Sequence, residues 1–279
     1  MMNARRLPLI ASLCLGWSLA WAGGACPVVT RVGVSDLGYA AYREDGQIKG
    51  LSADVIGVLA RRTGCKFELQ WFPRQRLFVE LEAGHIDMTM AALRTPERDA
   101  YARHLPYAYL QYELLLQAGQ GRHYASLADF VSHGKGRLNI TRGILYDAAI
   151  EAQLTQLAAL GRLEVVNDYE TVFGKLEVGR ADGTLATPPV YGRYLHDGAL
   201  KGRVLVMSIA EAEPRLTGAY LSKKTMAPEV RRYYAAALKE MVAEQVLPRL
   251  YARYFDEATV KRTFQPGAGP LLTALSAPD

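Results

Sequence analysis

The sequence predicts an α/β fold built as two similar lobes, each a sheet flanked by helices. Three observations carry that prediction. From Thr30 onward, segments of strand period alternate with segments of helical period, the pattern of a parallel, right-handed α/β layer. After a polar break at "QAGQGRHY", Gln117 to Tyr124, the alternation starts again. "LEAGHIDMTMA", Leu81 to Ala91, also recurs as "LEVGRADGTLA", Leu176 to Ala186. Leu, Glu, Gly, Asp, Thr and Ala sit at matching offsets, and Thr-Pro follows each copy at Thr95-Pro96 and Thr187-Pro188. Helix-Gly-strand joints often look alike by chance. Recurrence inside a restarted alternation favours two related lobes.

The chain opens on a targeting pattern. Arg5 and Arg6 precede the apolar run "LPLIASLCLGWSLA", and Ala20-Trp21-Ala22 is a small-residue cleavage site. The run is shorter than the roughly 20 residues a membrane span needs, so an exported protein cleaved after Ala22 is expected. "TRVGVS" then reads as a strand and "SADVIGVLARRTG" as an amphipathic helix, with Ser52 as N-cap, Leu51 and Ile56 as a hydrophobic staple and Gly64 as the stop. "CKFELQWF" alternates as a strand, "RQRLFVELEAG" is a short helix ended by Gly84, and "HIDMTMAAL" alternates again before the helix "TPERDAYA".

In the second half, "GRLNIT", "RLEVVND" and "ADGTLAT" are the expected strands. The helices are "LYDAAIEAQLTQLAALG", with Tyr146, Ile150, Leu154 and Leu157 on one face, "YETVFGKLEVG", capped by Asp168, and "PPVYGRYLHDG". Strands "RVLVMSI" and "RLTGAYLSKK" follow, then the helical runs "PEVRRYYAAALKEMVAEQ" and "VLPRLYARYF". The tail, residues 263–279, has no clear period and is expected to be loosely attached. Of the three cysteines, Cys14 leaves with the leader. Cys26 and Cys65 precede two strands that would lie side by side, so a disulfide between them is expected in an oxidising compartment.

Composition narrows the class. The 279 residues are 50% hydrophobic and 22% charged, ordinary for globular domains. Loss of Arg5 and Arg6 lowers the formal charge from +5 to +3, and no Lys/Arg run of nucleic-acid type is present. The five histidines show no metal spacing, and no P-loop or Gly-x-Ser-x-Gly elbow appears. Neither a metal nor a cofactor is expected.

Four landmarks in order resemble the polar amino-acid type of bacterial periplasmic solute-binding proteins, over roughly residues 30–256. They are "GQIKGLSADVIGVLARRTG", "LEAGHIDMTMAALRTPER", "LEVGRADGTLATPPVYGRYL" and "VLPRLYARYF". The resemblance implies a type II clamshell with lobe I at 27–116 plus 216–262 and lobe II at 117–215, joined by two crossover strands that form a hinge. It further implies a monomer that closes on a small solute and is read by the permease of an ABC importer.

The resemblance also points to residues. Arg98, in Thr-Pro-Glu-Arg, matches the arginine that clasps a ligand carboxylate in the family. Thr95 is a fitting N-cap for its helix, with Pro96 at N1 and Arg98 at N3, where a cation opposes the helix dipole unless an anion comes to it. Arg76, before the repeat, and Arg142-Gly143, after the lobe II strand, are the further anion-favouring positions, and Tyr39 is the expected aromatic cover. Arg74 and Arg94 are expected to be exposed, and Tyr42 packed against the lobe.

Departures from the family matter as much. Leu93 stands where a Ser or Thr is usual, Ile144 and Leu145 where Thr residues are common, and Thr187 where an Asp pairs with the ligand ammonium. Thr187 therefore belongs to the expected binding set, but without a charge. A solute with a carboxylate and no standard α-amine site is expected, unless Asp36 or Asp147 substitutes for the missing acid. Two other classes share the fold: a dehydratase of the cyclohexadienyl type, for which Glu170 and Asp147 would be the nearest general acids, and a sensor subunit serving a membrane receptor.

Overall fold

The computed structural model describes residues 26–120, 122–196 and 198–278. The leader at 1–22 lies outside the described residues.

Strand β1 (Thr30–Val34) is followed by a hairpin of β2 (Tyr42–Glu44) and β3 (Gln47–Lys49). Its two-residue turn, Asp45-Gly46, has positive φ at both positions (50° and 75°), the demand of a type I′ turn that Asp-Gly meets well. Next come α1 (Leu51–Thr63), β4 (Phe67–Trp71), α2 (Arg74–Ala83), β5 (Met88–Leu93), α3 (Pro96–Tyr101) and the long strand β6 (Ala102–Leu110).

The second half holds β7 (Glu113–Gln117), α4 (Leu127–His133), β8 (Leu138–Thr141), α5 (Ala148–Ala159), β9 (Leu163–Val166), α6 (Tyr169–Glu177), β10 (Gly183–Ala186), α7 (Pro188–His196) and β11 (Val204–Ser208). The chain then returns as β12 (Arg215–Ser222), α8 (Pro228–Ala243), α9 (Val246–Tyr251), α10 (Glu257–Thr263) and α11 (Gly269–Leu275).

Two five-stranded sheets result, in the orders β4-β1-β5-β12-β6 and β11-β7-β10-β8-β9. In each, four strands run in one direction and one, β12 or β7, runs against them, so the sheets are mainly parallel with a single reversed strand. The reversed strands, β7 and β12, are the ones that follow the two crossovers. Because β7 bonds to β10 and β11, residues 113–116 pair within the second sheet, not the first as the sequence boundary at 116 supposed.

The two copies of the repeat occupy equivalent joints, α2 to β5 and α6 to β10. Asp87 N donates to Arg31 O and Arg31 N to Asp87 Oδ2, at 2.9 and 2.8 Å. Asp182 N donates to Arg137 O and Arg137 N to Asp182 Oδ2, at 2.9 and 2.7 Å. Each aspartate thus ties the start of its strand to the neighbouring parallel strand, and the next strand residue pair brings Thr89 and Thr184, both fully buried, to the same place.

The first core packs Val32, Met88, Leu105 and Leu221 of one sheet against Val55, Leu59, Tyr234, Leu238 and Met241 of α1 and α8. A second core gathers Leu114, Leu116, Ile140, Leu154 and Leu157. Each fully buried Leu or Ile contributes about 1.5–3 kcal/mol. The Cys26–Cys65 disulfide is present, at the edge where β1 and β4 run side by side.

Three expectations change. Gly50, at φ 110°, occupies the N-cap of α1, and Ser52 sits inside the first turn. Leu51 is then the first helical residue, so the staple geometry does not apply. The tail is packed: Leu271 and Leu275 of α11 are buried in the first core, and Tyr109 donates to Gly267 O at 2.7 Å. Among the described residues no helix is long and apolar enough to cross a membrane.

Candidate functional site

The carboxyl ends of the parallel strands of both sheets face one cleft, the place where open α/β sheets bind ligands. The lobes touch across it. A Cβ on Gly38 would lie 2.2 Å from Val190 O, and one on Gly143 would lie 3.1 Å from Cγ of Gln75. Gly143 has φ +79°, so a side chain there would meet both backbone strain and the opposite lobe.

Two connected spaces lie in the cleft. The inner cavity, of about 70 Å³, is lined from the first lobe by Leu37, Ser52, Arg74, Ala91, Leu93 and Arg98, and from the second by Gly143, Ile144, Leu145, Tyr169, Thr187 and Val190. Tyr107, Tyr109, Tyr112, Thr217 and Tyr251 close it from behind. The outer groove, of about 1150 Å³, shares Leu37, Arg74, Ile144 and Tyr169 with the inner one. Aromatic groups (Trp71, Phe72, Phe173, Tyr194) and carboxylates (Asp36, Asp168, Glu170, Glu177) line it.

Arg98 sits at N3 of α3. Thr95 caps that helix through Oγ1, which accepts from Arg98 N at 3.2 Å, with Pro96 at N1. The Arg98 guanidinium donates from Nη1 to Leu93 O at 3.1 Å and lies over the Phe78 ring, 3.5 Å from its centroid. Burial pulls its pKa below the usual arginine value. Thr95 itself is a helix cap and is not part of the cavity lining.

Arg74 is the residue the sequence reading placed outside and the structure places inside. It opens α2 after Pro73, and Nη2 donates to Ala91 O at 3.2 Å. Nε and Nη1 are buried and have no hydrogen-bond partner. Burial first, and the positive Arg98 second, pull its pKa to about 10, so it stays charged at neutral pH.

The other predicted residues separate. Arg76 lies outside both spaces, with a side chain 71% exposed and paired with Glu80 one helical turn on. It fails as a cleft residue because it lies two positions past Arg74 on α2, pointing away. Arg142 is exposed and lines neither space, and its backbone N–H is taken by Val166 O. Gly143 and Thr187 line the inner cavity. Tyr39 lines the outer groove, packed with Tyr42, Tyr254 and Phe255, rather than the inner cavity.

All four departures from the family pattern, Leu93, Ile144, Leu145 and Thr187, fall on the inner cavity. Asp36 lines the outer groove, where burial raises its pKa. Asp147 forms an ion pair with Arg215 at 2.8 Å and lines neither space. The five lining tyrosines went unread in the sequence, although Tyr107 and Tyr109 alternate with strand period in "LPYAYL". Tyr107 accepts from Ala91 N at 3.1 Å, and burial pushes its pKa up to about 12. Tyr112, packed in the second core, donates to Leu145 O at 3.1 Å.

The sequence profile of the bacterial extracellular solute-binding proteins, family 3, matches residues 31–257. The chain belongs to this family. Solved structures agree on the fold. An ancestral arginine-binding protein bound to arginine superposes with TM-score 0.67 at 18% identity, covering 82% of this chain and 99% of that one. The arginine-, lysine-, histidine-binding protein ArtJ from the thermophilic bacterium Geobacillus stearothermophilus gives TM-score 0.67 at 18% identity, over 84% and 98%. A histidine kinase sensor domain with similarity to periplasmic binding proteins gives TM-score 0.66 at 13% identity, over 81% and 96%. No curated protein sequence matches this solute-binding protein.

Proposed function

We propose that this solute-binding protein captures a small carboxylate-bearing solute in the periplasm by closing its lobes, and presents it as a monomer to the permease of an ABC importer. The observation that carries the reading is the buried Arg74 guanidinium, with Nε and Nη1 lacking acceptors, beside Arg98 in a cavity whose described lining holds no Asp or Glu. Buried cations need counter-charges, and a carboxylate supplies charge and acceptors together. The hinge would lie at residues 111–112 and 209–214, between the paired crossover strands.

The same lining disfavours an α-ammonium. Thr187, Leu93, Ile144 and Leu145 offer it no counter-ion, and a buried unpaired ammonium costs several kcal/mol (of order 3–5). The ancestral proteins solved with arginine and with glutamine are each 18% identical and share the fold alone. Catalysis has little support: Asp147 is bound to Arg215 and lines neither space, and Glu170 lines the outer groove but not the inner cavity. A sensor role on the same cleft is the second reading, because a histidine kinase sensor domain has this fold.

Thermal unfolding against a panel of amine-free carboxylates, amino acids and amines tests the proposal. A ligand present at 100 times its Kd stabilises the native state by about 2.7 kcal/mol. A carboxylate is expected to raise Tm, and Arg98→Ala to remove the shift by costing about 2–5 kcal/mol of binding. Shifts with cationic amines alone would overturn the reading.

A further inference from the structure

We infer that Arg74 is a second anion-binding residue of the cleft and that the solute is a short dicarboxylate, one carboxylate held by Arg98 and the other by Arg74. This inference rests on the carboxylate reading above and extends it.

Charge balance carries the argument. The described lining of the inner cavity contains two guanidiniums, Arg74 and Arg98, and no other ionisable group except tyrosines. Those tyrosines stay neutral at pH 7, since burial raises Tyr107, Tyr112, Tyr169 and Tyr251 alike. A monocarboxylate neutralises one of the two charges and leaves the other buried without a partner. A dicarboxylate neutralises both.

Geometry agrees. Both guanidiniums flank the Phe78 ring, with their carbons 3.5 Å (Arg98) and 5.1 Å (Arg74) from its centroid, so they are neighbours. Each already spends one N–H on a backbone carbonyl of β5, Ala91 O for Arg74 and Leu93 O for Arg98, which fixes the direction of the rest. Arg74 also borders the outer groove, so a solute in either space lies against its side chain. An inner cavity of about 70 Å³ suits a short chain rather than a bulky one.

Isothermal titration of the mature protein tests the inference. The probes are malonate and succinate, their monocarboxylate counterparts propionate and butyrate, and sulfate, each against wild type, Arg74→Met and Arg98→Met. At least one dicarboxylate is expected to bind wild type about 30-fold or more tightly than its monocarboxylate counterpart. Arg74→Met should erase that gap by weakening the dicarboxylate more than the monocarboxylate, whereas Arg98→Met should weaken both. Arg74→Lys, which keeps the charge, should retain part of the gap, and it decides the question if Arg74→Met fails to fold. Equal wild-type affinity for mono- and dicarboxylates would overturn the inference and leave the carboxylate reading standing. Binding of butylamine, added as a cationic probe, with no binding of any of the four carboxylates would overturn both. Sulfate binding more tightly than either dicarboxylate would replace the dicarboxylate with an inorganic dianion and overturn the assignment.

Discussion

At the scale of single residues, position decides which arginine matters. Arg74 and Arg76 are two residues apart on α2, yet one is buried against the cavity and the other is 71% exposed. Sequence alone could not separate them, because the choice depends on where the first turn of α2 meets β5. Arg98 was legible because the Thr-Pro-Glu-Arg cap fixes it at N3. His104 gives a prediction at this scale. Its Nε2 faces Ala92 O at 2.9 Å, its ring packs on Tyr220, and burial lowers its pKa to about 4. The unfolded chain therefore binds the proton more readily than the fold does. Its contribution to stability is full above the unfolded value near 6.5, falls as pH drops through that range and levels off below about 4. Calorimetry across pH 4–7 should show Tm falling with pH, and His104→Gln should remove a large part of the slope. An unchanged slope would exclude His104 as its source.

At the scale of elements, most of the first lobe was legible. Gly64 and Gly84 end their helices, the strand alternations fall on β1, β4 and β5, and the repeat marks equivalent joints. What went unread has physical reasons. The hairpin β2–β3 carries its signal in Asp45-Gly46, but its strands are only three residues long. β6, β7 and α4 lie where the alternation gives way to long or polar stretches. α11 is held by two leucines whose partners lie far away in sequence. The α3 cap can be measured. Thr95→Ala removes the acceptor for Arg98 N, at a cost of about 1 kcal/mol, and should lower Tm by about 2–4 °C. Because Arg98 hangs on that turn, carboxylate binding should weaken as well. A Tm fall with unchanged binding would show that Phe78 and Leu93 alone hold Arg98 in place.

At the scale of the whole molecule, two lobes of equivalent topology meet over one cleft, and the family's clamshell explains the arrangement. The central claim is that the cleft keeps the carboxylate clamp and lacks a partner for an α-ammonium. Paired calorimetric titrations address it most directly: aspartate against succinate, glutamate against glutarate, alanine against propionate and phenylalanine against 3-phenylpropanoate. In any pair that binds, the account predicts that the member without the amine binds at least as tightly as the amino acid. Tight binding of an amino acid whose amine-free partner does not bind would contradict it, and would mean that the cleft closes on an ammonium that its described lining leaves without a counter-charge.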